Sequence, residues 1–338
     1  MSRRKPNVTV LGGGSWGTTV ASIAARNTRT LLWLRDPDIA RAINETRQNP
    51  RYLAGFDLTP SLRATADLAE AVDEADVLVA GVPSQHMRSV LEEVADYVRP
   101  WIPVVSLVKG LEQGTRKRMT EVIGEVLPGH QAGVLSGPNI AKEVVQGYAA
   151  AATIAMPDHG IAQMLQGLVH TPRFRVYTSE DVIGVEIAGA LKNVFAIAVG
   201  IGDGLGAGDN TRAMVITRSL HELTRLGVAM GGKAETFSGL AGMGDLIATC
   251  TSPHSRNRHV GAELARGKRL DEIIAAMNQV AEGVKTTAVV MKLAAERGID
   301  LPIAHEVDAV INHGQPVEQT YRGLLRITPG HEVHGEAW

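Results

Sequence analysis

Cysteine is almost absent from this chain: Cys250 is the only one in 338 residues. That excludes an internal disulfide framework and makes a reducing compartment the default expectation. A lone thiol can be catalytic, but a small buried hydrophobe is the commoner role. Charge imbalance is lacking too. With 34 Lys and Arg against 36 Asp and Glu, nothing marks a nucleic-acid binder or an acidic tail protein. No CxxC or HExxH spacing accompanies Cys250, His254 and His259, so no metal is expected. Internal repeats and low-complexity segments are missing. The basic start, residues 1–6, runs into a glycine-rich turn instead of a signal-peptide core. The long apolar stretch 182–199 contains Glu186 and Lys192, which argue against a membrane span. A cytoplasmic protein with no integral membrane segment is expected.

What is present divides into two halves, in keeping with a prior of about 150 residues per domain. The β-branched run Asn7-Val8-Thr9-Val10-Leu11 precedes Gly12-Gly13-Gly14-Ser15-Trp16-Gly17 and an alanine-rich helix. Strand, glycine turn and helix in that order read as a dinucleotide site, the alternative being a plain tight strand-to-helix turn. Gly12 permits the tight turn, Gly14 lets a pyrophosphate approach the backbone, and Gly17 lets helix and strand pack closely. The phosphate charge is met at the helix start. The second strand, 30–34, ends in Arg35-Asp36-Pro37, where a ribose-reading residue belongs. Asp36 can bind a ribose diol and select NAD, or Arg35 can hold the extra phosphate of NADP. Asp before Pro is also a helix N-cap followed by proline at the first helical position, which shifts the preference to Arg35 and to NADPH, with NADH use retained.

Further strands are expected at 76–82, 104–110, 133–136, 151–155 and 174–177, alternating with helices, so the fold class is a Rossmann-like doubly wound α/β sheet. Ligands bind beyond the carboxyl ends of such strands, which favours Lys109 as a functional residue over a solvated loop lysine. Strand signals stop after Thr178. The expected division is 1–180, a dinucleotide-binding domain, and 181–338, an all-helical substrate and catalytic domain. Helix 182–199 carries Lys192 between the small residues Gly189 and Ala196. Spacing alone fits a snorkelling lysine on a solvent-facing stripe; the other possibility is a buried ammonium, which is costly unless paired and often functional.

The glycine-dense stretch 200–208 follows a helix instead of a strand and reads as a flexible turn between helices. Helix 210–226 places Arg212, Arg218, His221 and Arg225 at solvated or interfacial positions. A second glycine turn, 239–245, ends in Asp245. Between Asp245 and Glu263 there is no acid, while Ser252, His254, Ser255, Arg256, Asn257, Arg258 and His259 collect donors suited to a phosphate monoester, a basic surface loop being the other reading. Residues 280–284 read as a loop before a helix starting near Thr286. Further helices are expected at 289–297, 303–312 and 317–325, and the polar end 329–338 as frayed.

Taken together, Gly12-Gly13-Gly14-Ser15-Trp16-Gly17-Thr18, Val108-Lys109-Gly110-Leu111-Glu112, Leu135-Ser136-Gly137-Pro138-Asn139, Gly189-Ala190-Leu191-Lys192-Asn193-Val194, Gly242-Met243-Gly244-Asp245-Leu246 and Ser255-Arg256-Asn257-Arg258 resemble the bacterial NAD(P)-dependent glycerol-3-phosphate dehydrogenases over nearly the whole chain. The resemblance implies reversible reduction of dihydroxyacetone phosphate to sn-glycerol 3-phosphate for phospholipid synthesis, with a homodimer as the usual assembly. It implies Lys192 as the proton acceptor in alcohol oxidation, with Lys109 and Asp245 beside it in the catalytic group. Substrate contacts implied are Lys109, Gly137, Asn139, Lys192, Asp245, Ser255, Arg256 and Asn257. Cofactor contacts implied, besides Gly12, Gly14 and Gly17, are Ser15, Trp16, Arg35, Lys109, Ala141, Arg256, Val280 and Glu282. Asn139 departs from the Ser or Thr common in the family. Rivals are a hydroxyacyl-CoA or 6-phosphogluconate type of dehydrogenase, and a nicotinamide-sensing module without turnover.

Overall fold

The computed structural model describes residues 5–277 and 280–320. Eight strands form one sheet: β1 (Val8–Leu11), β2 (Thr30–Trp33), β3 (Arg63–Thr65), β4 (Val77–Ala80), β5 (Val104–Ser106), β6 (Ala132–Ser136), β7 (Ala150–Ala155) and β8 (Phe174–Ser179). Their order is β3-β2-β1-β4-β5-β6-β7-β8. Strands β3 to β6 pair in parallel, β7 runs antiparallel to β6, and β8 is parallel to β7. The central strands are apolar on both faces because helices cover both faces. Successive side chains alternate between two cores: Val8, Val10, Val77 and Val79 enter one, while Leu11, Leu78 and Ala80 enter the other.

Chain order reverses between β1 and β4, and the register sets the crevice there. Leu11 lies opposite both Trp33 and Ala80, so Gly12, Leu34 and Gly81 follow at one level. This is the switch point where doubly wound sheets bind ligands. Sequence patterning missed β3 and the helices Met119–Val126 and His159–Val169. β3 is three residues long, too short for an alternation to register. Strand β5 ends at Ser106, earlier than the expected 110, so Lys109 stands past its end in a loop.

The chain divides into two compact units, Met1–Glu186 and Ile187–Trp338. Among the described residues no strand follows β8. The helix Val182–Gly204 crosses the division, and by length and composition alone it could span a membrane. However, 89% of its most apolar window is buried inside the protein, as in a core helix. It also runs past the expected end at 199: residues 200–204 are helical, not a flexible turn. Packing explains the correction. A Cβ on Gly200 would stand 2.1 Å from the Arg258 carbonyl oxygen, and one on Gly204 2.5 Å from the Ala265 Cβ. From the opposite side, a Cβ on Gly261 would stand 2.1 Å from the Ile197 carbonyl oxygen. These glycines let the helix touch Arg256–Ala265 backbone to backbone.

The loop expected at 280–284 is likewise shorter. One helix, Glu282–Glu296, takes in both the expected start near Thr286 and the helix expected at 289–297. Pro302–His313 follows. Residues 317–320 are helical, whereas 321–325, the polar end 329–338 and the start 1–4 lie outside the described residues. The short helices Ala234–Phe237 and Leu270–Ala275 carried no periodic signal.

Candidate active site

In the first unit, three glycines of the strand-turn-helix motif have separate physical reasons. Gly12 has φ +115, and a Cβ there would collide with Gly81 at 2.7 Å. A Cβ on Gly17 would lie 2.0 Å from the Gly12 carbonyl oxygen, so helix and turn close on one another only with glycine. Beside Gly14 a Cβ would meet nothing within 4 Å among the described residues. Gly14 is the N-cap of the helix Ser15–Ala24, where no side chain caps and no acid occupies the first turn. That combination suits a pyrophosphate at the positive end of the helix. The Ser15 hydroxyl donates to the Tyr52 carbonyl at 3.0 Å. Trp16 stacks edge-on against Phe174 at 5.9 Å, and its buried indole nitrogen has no hydrogen-bond partner among the described residues.

At the end of β2, Asp36 does cap the next helix: its carboxylate accepts from the Asp38 and Ile39 amides at 3.0 and 3.3 Å. Arg35 beside it is exposed. Past β5, half-buried Lys109 donates to the Gly137 carbonyl at 2.8 Å. Gly137 has φ +144, and a Cβ there would press on Ala152 at 3.0 Å. Two residues on, both polar side-chain atoms of Asn139 are buried without a partner among the described residues. Ala141 opens the helix Ala141–Val145. Lys109, Gly137, Asn139 and Ala141 thus come together at the carboxyl ends of β5 and β6.

In the second unit, Lys192 is buried, at 4% exposure, which decides against the snorkelling stripe. Its Nζ forms an ion pair with the Asp245 carboxylate at 2.8 Å and donates to the Thr249 hydroxyl. Asp245 and Thr249 sit one turn apart on the helix Asp245–Thr251 and so share a face; the Thr249 hydroxyl also donates to Asp245 at 3.3 Å. A buried ammonium that costs several kcal/mol when alone is here matched by a buried carboxylate. Sequence reasoning passed over Thr249, although the four-residue spacing from Asp245 was a signal.

The donor cluster is built on the neighbouring helix. Ser255 is its N-cap, accepting from the Arg258 amide at 3.3 Å. Asn257 is buried and bridges two elements: its amide donates to Asn193 at 2.8 Å, and its oxygen accepts from the Gly283 amide at 3.0 Å. Asn193, next to Lys192, is a second residue missed from the sequence. Arg256 donates to the Val280 carbonyl at 2.6 Å, and Glu282 starts the helix that follows. Protein packed around the Arg256 guanidinium lowers its pKa and Glu282 opposes that, although the residue keeps solvent-accessible surface. Arginine remains a cation regardless. Arg212 and Arg258, by contrast, are both tied to Asp203, at 2.8 and 2.6 Å, so Arg212 is a structural tether more than a solvated arginine. Burial pushes the Cys250 thiol up to about 12. It stays protonated and inert, the small hydrophobe and not the nucleophile.

Two family models cover most of the chain. The N-terminal domain of NAD-dependent glycerol-3-phosphate dehydrogenase matches residues 7–162, and the C-terminal domain matches 181–322. A glycerol-3-phosphate dehydrogenase (NAD(P)+) of Mycobacterium avium is 64% identical over 337 residues, covering 99% of this chain and 98% of that protein. The crystal structure of the Coxiella burnetii glycerol-3-phosphate dehydrogenase has a TM-score of 0.91 at 35% identity and covers 95% of this chain and 99% of that one. The yeast glycerol-3-phosphate dehydrogenase structure has a TM-score of 0.82 at 31% identity, covering 95% and 99%.

Proposed function

The chain belongs to the NAD-dependent glycerol-3-phosphate dehydrogenase family, and from that premise we propose that it reduces dihydroxyacetone phosphate to sn-glycerol 3-phosphate, reversibly, with NADPH or NADH. The observation that carries the chemistry is the buried Lys192 ammonium held between Asp245 and Thr249. Bound NAD(P)H supplies the hydride. As the ketone carbon is reduced, its oxygen gathers negative charge and needs both a cation and a proton. Lys192 provides both, and in the reverse direction it takes the proton back from the alcohol. Asp245 and Thr249 fix where its Nζ points.

The same proposal gives the remaining residues their parts. Arg256 grips the substrate phosphate with two N–H groups, with Ser255 and Asn257 beside it. Lys109, Gly137 and Asn139 contact the substrate. Gly12, Gly14, Gly17, Ser15, Trp16, Arg35, Lys109, Ala141, Arg256, Val280 and Glu282 hold the cofactor. Asp36 is engaged as a helix cap, which supports Arg35 reading a 2′-phosphate and a preference for NADPH. Residues 1–180 form the dinucleotide-binding domain and 181–338 the helical substrate and catalytic domain, each lending residues to the other's ligand. The product feeds glycerophospholipid synthesis, in the cytoplasm, from a homodimer.

The deciding experiment follows NAD(P)H oxidation with dihydroxyacetone phosphate. Turnover with a higher kcat/KM for NADPH than for NADH is expected, and Arg35→Ala shrinks that ratio. If there is no NAD(P)H oxidation with this ketone while a hydroxyacyl-CoA or 6-phosphogluconate reduces NAD(P)+, the proposal is wrong. Cofactor binding without turnover of any ketone phosphate would leave a sensing module instead.

A further inference from the structure

Ser136 is the last residue of β6 and is 1% exposed. Its hydroxyl has no hydrogen-bond partner among the described residues. A buried hydroxyl without a partner is destabilising, so native structures keep few of them, and those few ask for an explanation. The surroundings offer one. β5 pairs with β6 only as far as Ser106 opposite Val134, so Ser136 extends two positions beyond the end of β5, held by β7 alone through Thr153. Leu135, which points to the other face, is packed into the core. Next to Ser136, the Gly137 carbonyl receives the Lys109 ammonium at 2.8 Å. Asn139 then adds a buried donor and a buried acceptor, both unpartnered among the described residues. Three unsatisfied polar atoms thus fall within four residues, at the carboxyl end of a strand where doubly wound sheets take their ligands.

We infer that Ser136 is a ligand-binding residue: its hydroxyl forms one hydrogen bond to a neutral polar group of the bound ligands, of the hydroxyl or carboxamide class. The triose hydroxyl and the nicotinamide carboxamide both have that chemistry. The inference rests on the proposed activity and names a residue to which that activity assigns no part. Ser136 is kept polar at a cost to the free protein because the bond is made only when ligand arrives. A hydroxyl with this role and one with a structural role have opposite signatures on removal.

The experiment is Ser136→Ala, with Ser136→Cys as a near-isosteric second variant whose thiol is a weak donor. In the ligand-free protein, Tm is expected to stay the same or rise, since the unsatisfied group is gone. KM for dihydroxyacetone phosphate or for NADPH is expected to rise about tenfold, the value of one good hydrogen bond, and the thermal shift given by the same ligand shrinks. A KM effect confined to the ketone assigns the triose, and one confined to NADPH assigns the carboxamide. A lowered Tm with both KM values and both thermal shifts unchanged would make the hydroxyl structural and overturn the inference. The wild-type assay separates the two levels. If the wild type does not turn over the ketone, the proposed activity fails, whereas the variant-to-wild-type ratio for NADPH binding still tests Ser136.

Discussion

At the scale of single residues, Lys192 concentrates the chemistry because burial and pairing act on it together. Its ammonium has the Asp245 carboxylate at 2.8 Å and the Thr249 hydroxyl as companions, so a charge that hydrocarbon would reject is kept and aimed. Removing it should separate catalysis from binding. Lys192→Ala is expected to lower kcat by about 10²- to 10⁴-fold, the usual value of general acid catalysis, while Kd for NADPH by fluorescence titration stays within about twofold. The substitution also leaves Asp245 buried without its cation, a defect worth roughly 3–5 kcal/mol, so Tm is measured beside activity. Turnover equal to that of the wild type would remove Lys192 from the reaction. The residue was conspicuous as the one lysine in an apolar run, but which way it faced was not readable. A period of 3.6 places it on a face without saying what lies against that face, and the decision came from Asp245, far away in the sequence.

Among elements, the contact between Val182–Gly204 and Arg256–Ala265 does the positioning, and glycine makes it close. Gly200 and Gly202 are both in the same helix and predict opposite outcomes. Among the described residues, alanine at Gly202 meets only the Ala207 Cβ at 3.7 Å, an ordinary contact. There the gain in helix propensity, about 1 kcal/mol, should stand or come near it. Alanine at Gly200 puts its Cβ 2.1 Å from the Arg258 carbonyl, backbone that cannot swing aside. Overpacking of about 1–3 kcal/mol should outweigh the same propensity gain. Urea unfolding is expected to show Gly202→Ala neutral to stabilised and Gly200→Ala destabilised; equal effects would mean that the helices part freely. The sequence offered only a glycine-dense stretch after a helix, which reads as a turn. Glycine has the same letter whether it supplies a turn or a flat surface, and only the opposing helix distinguishes the two.

For the molecule as a whole, stability carries a pH dependence from Glu222. This buried carboxyl accepts the Ile303 and Ala304 amides at 2.8 and 3.2 Å, securing the start of the helix Pro302–His313. Burial raises its pKa from 4.5 to about 7, and the two amide hydrogen bonds oppose that rise without cancelling it. Below about pH 4.5 both folded and unfolded chains hold the proton. Between there and about pH 7 the unfolded chain releases it while the folded one keeps it, so stability falls as pH rises and levels off above, by on the order of 3 kcal/mol from this group. Glu222→Gln removes that slope, and its urea midpoint should gain on the wild type from pH 5 to pH 7. A difference that does not change with pH would refute the assignment. Composition, the opening strand-glycine-helix unit, the change from strands to helices and the motif series were settled by the chain alone, because a strand-glycine-helix start, the end of strand signals after β8 and an acid-free donor cluster are local patterns with local causes. Tertiary structure alone decided the antiparallel β7, the burial of Lys192 against Asp245 and Thr249, the capture of Arg258 by Asp203, and the unsatisfied hydroxyl of Ser136. Each of these depends on which distant segment arrives opposite a residue, and pairing across space is not encoded in the spacing along the chain.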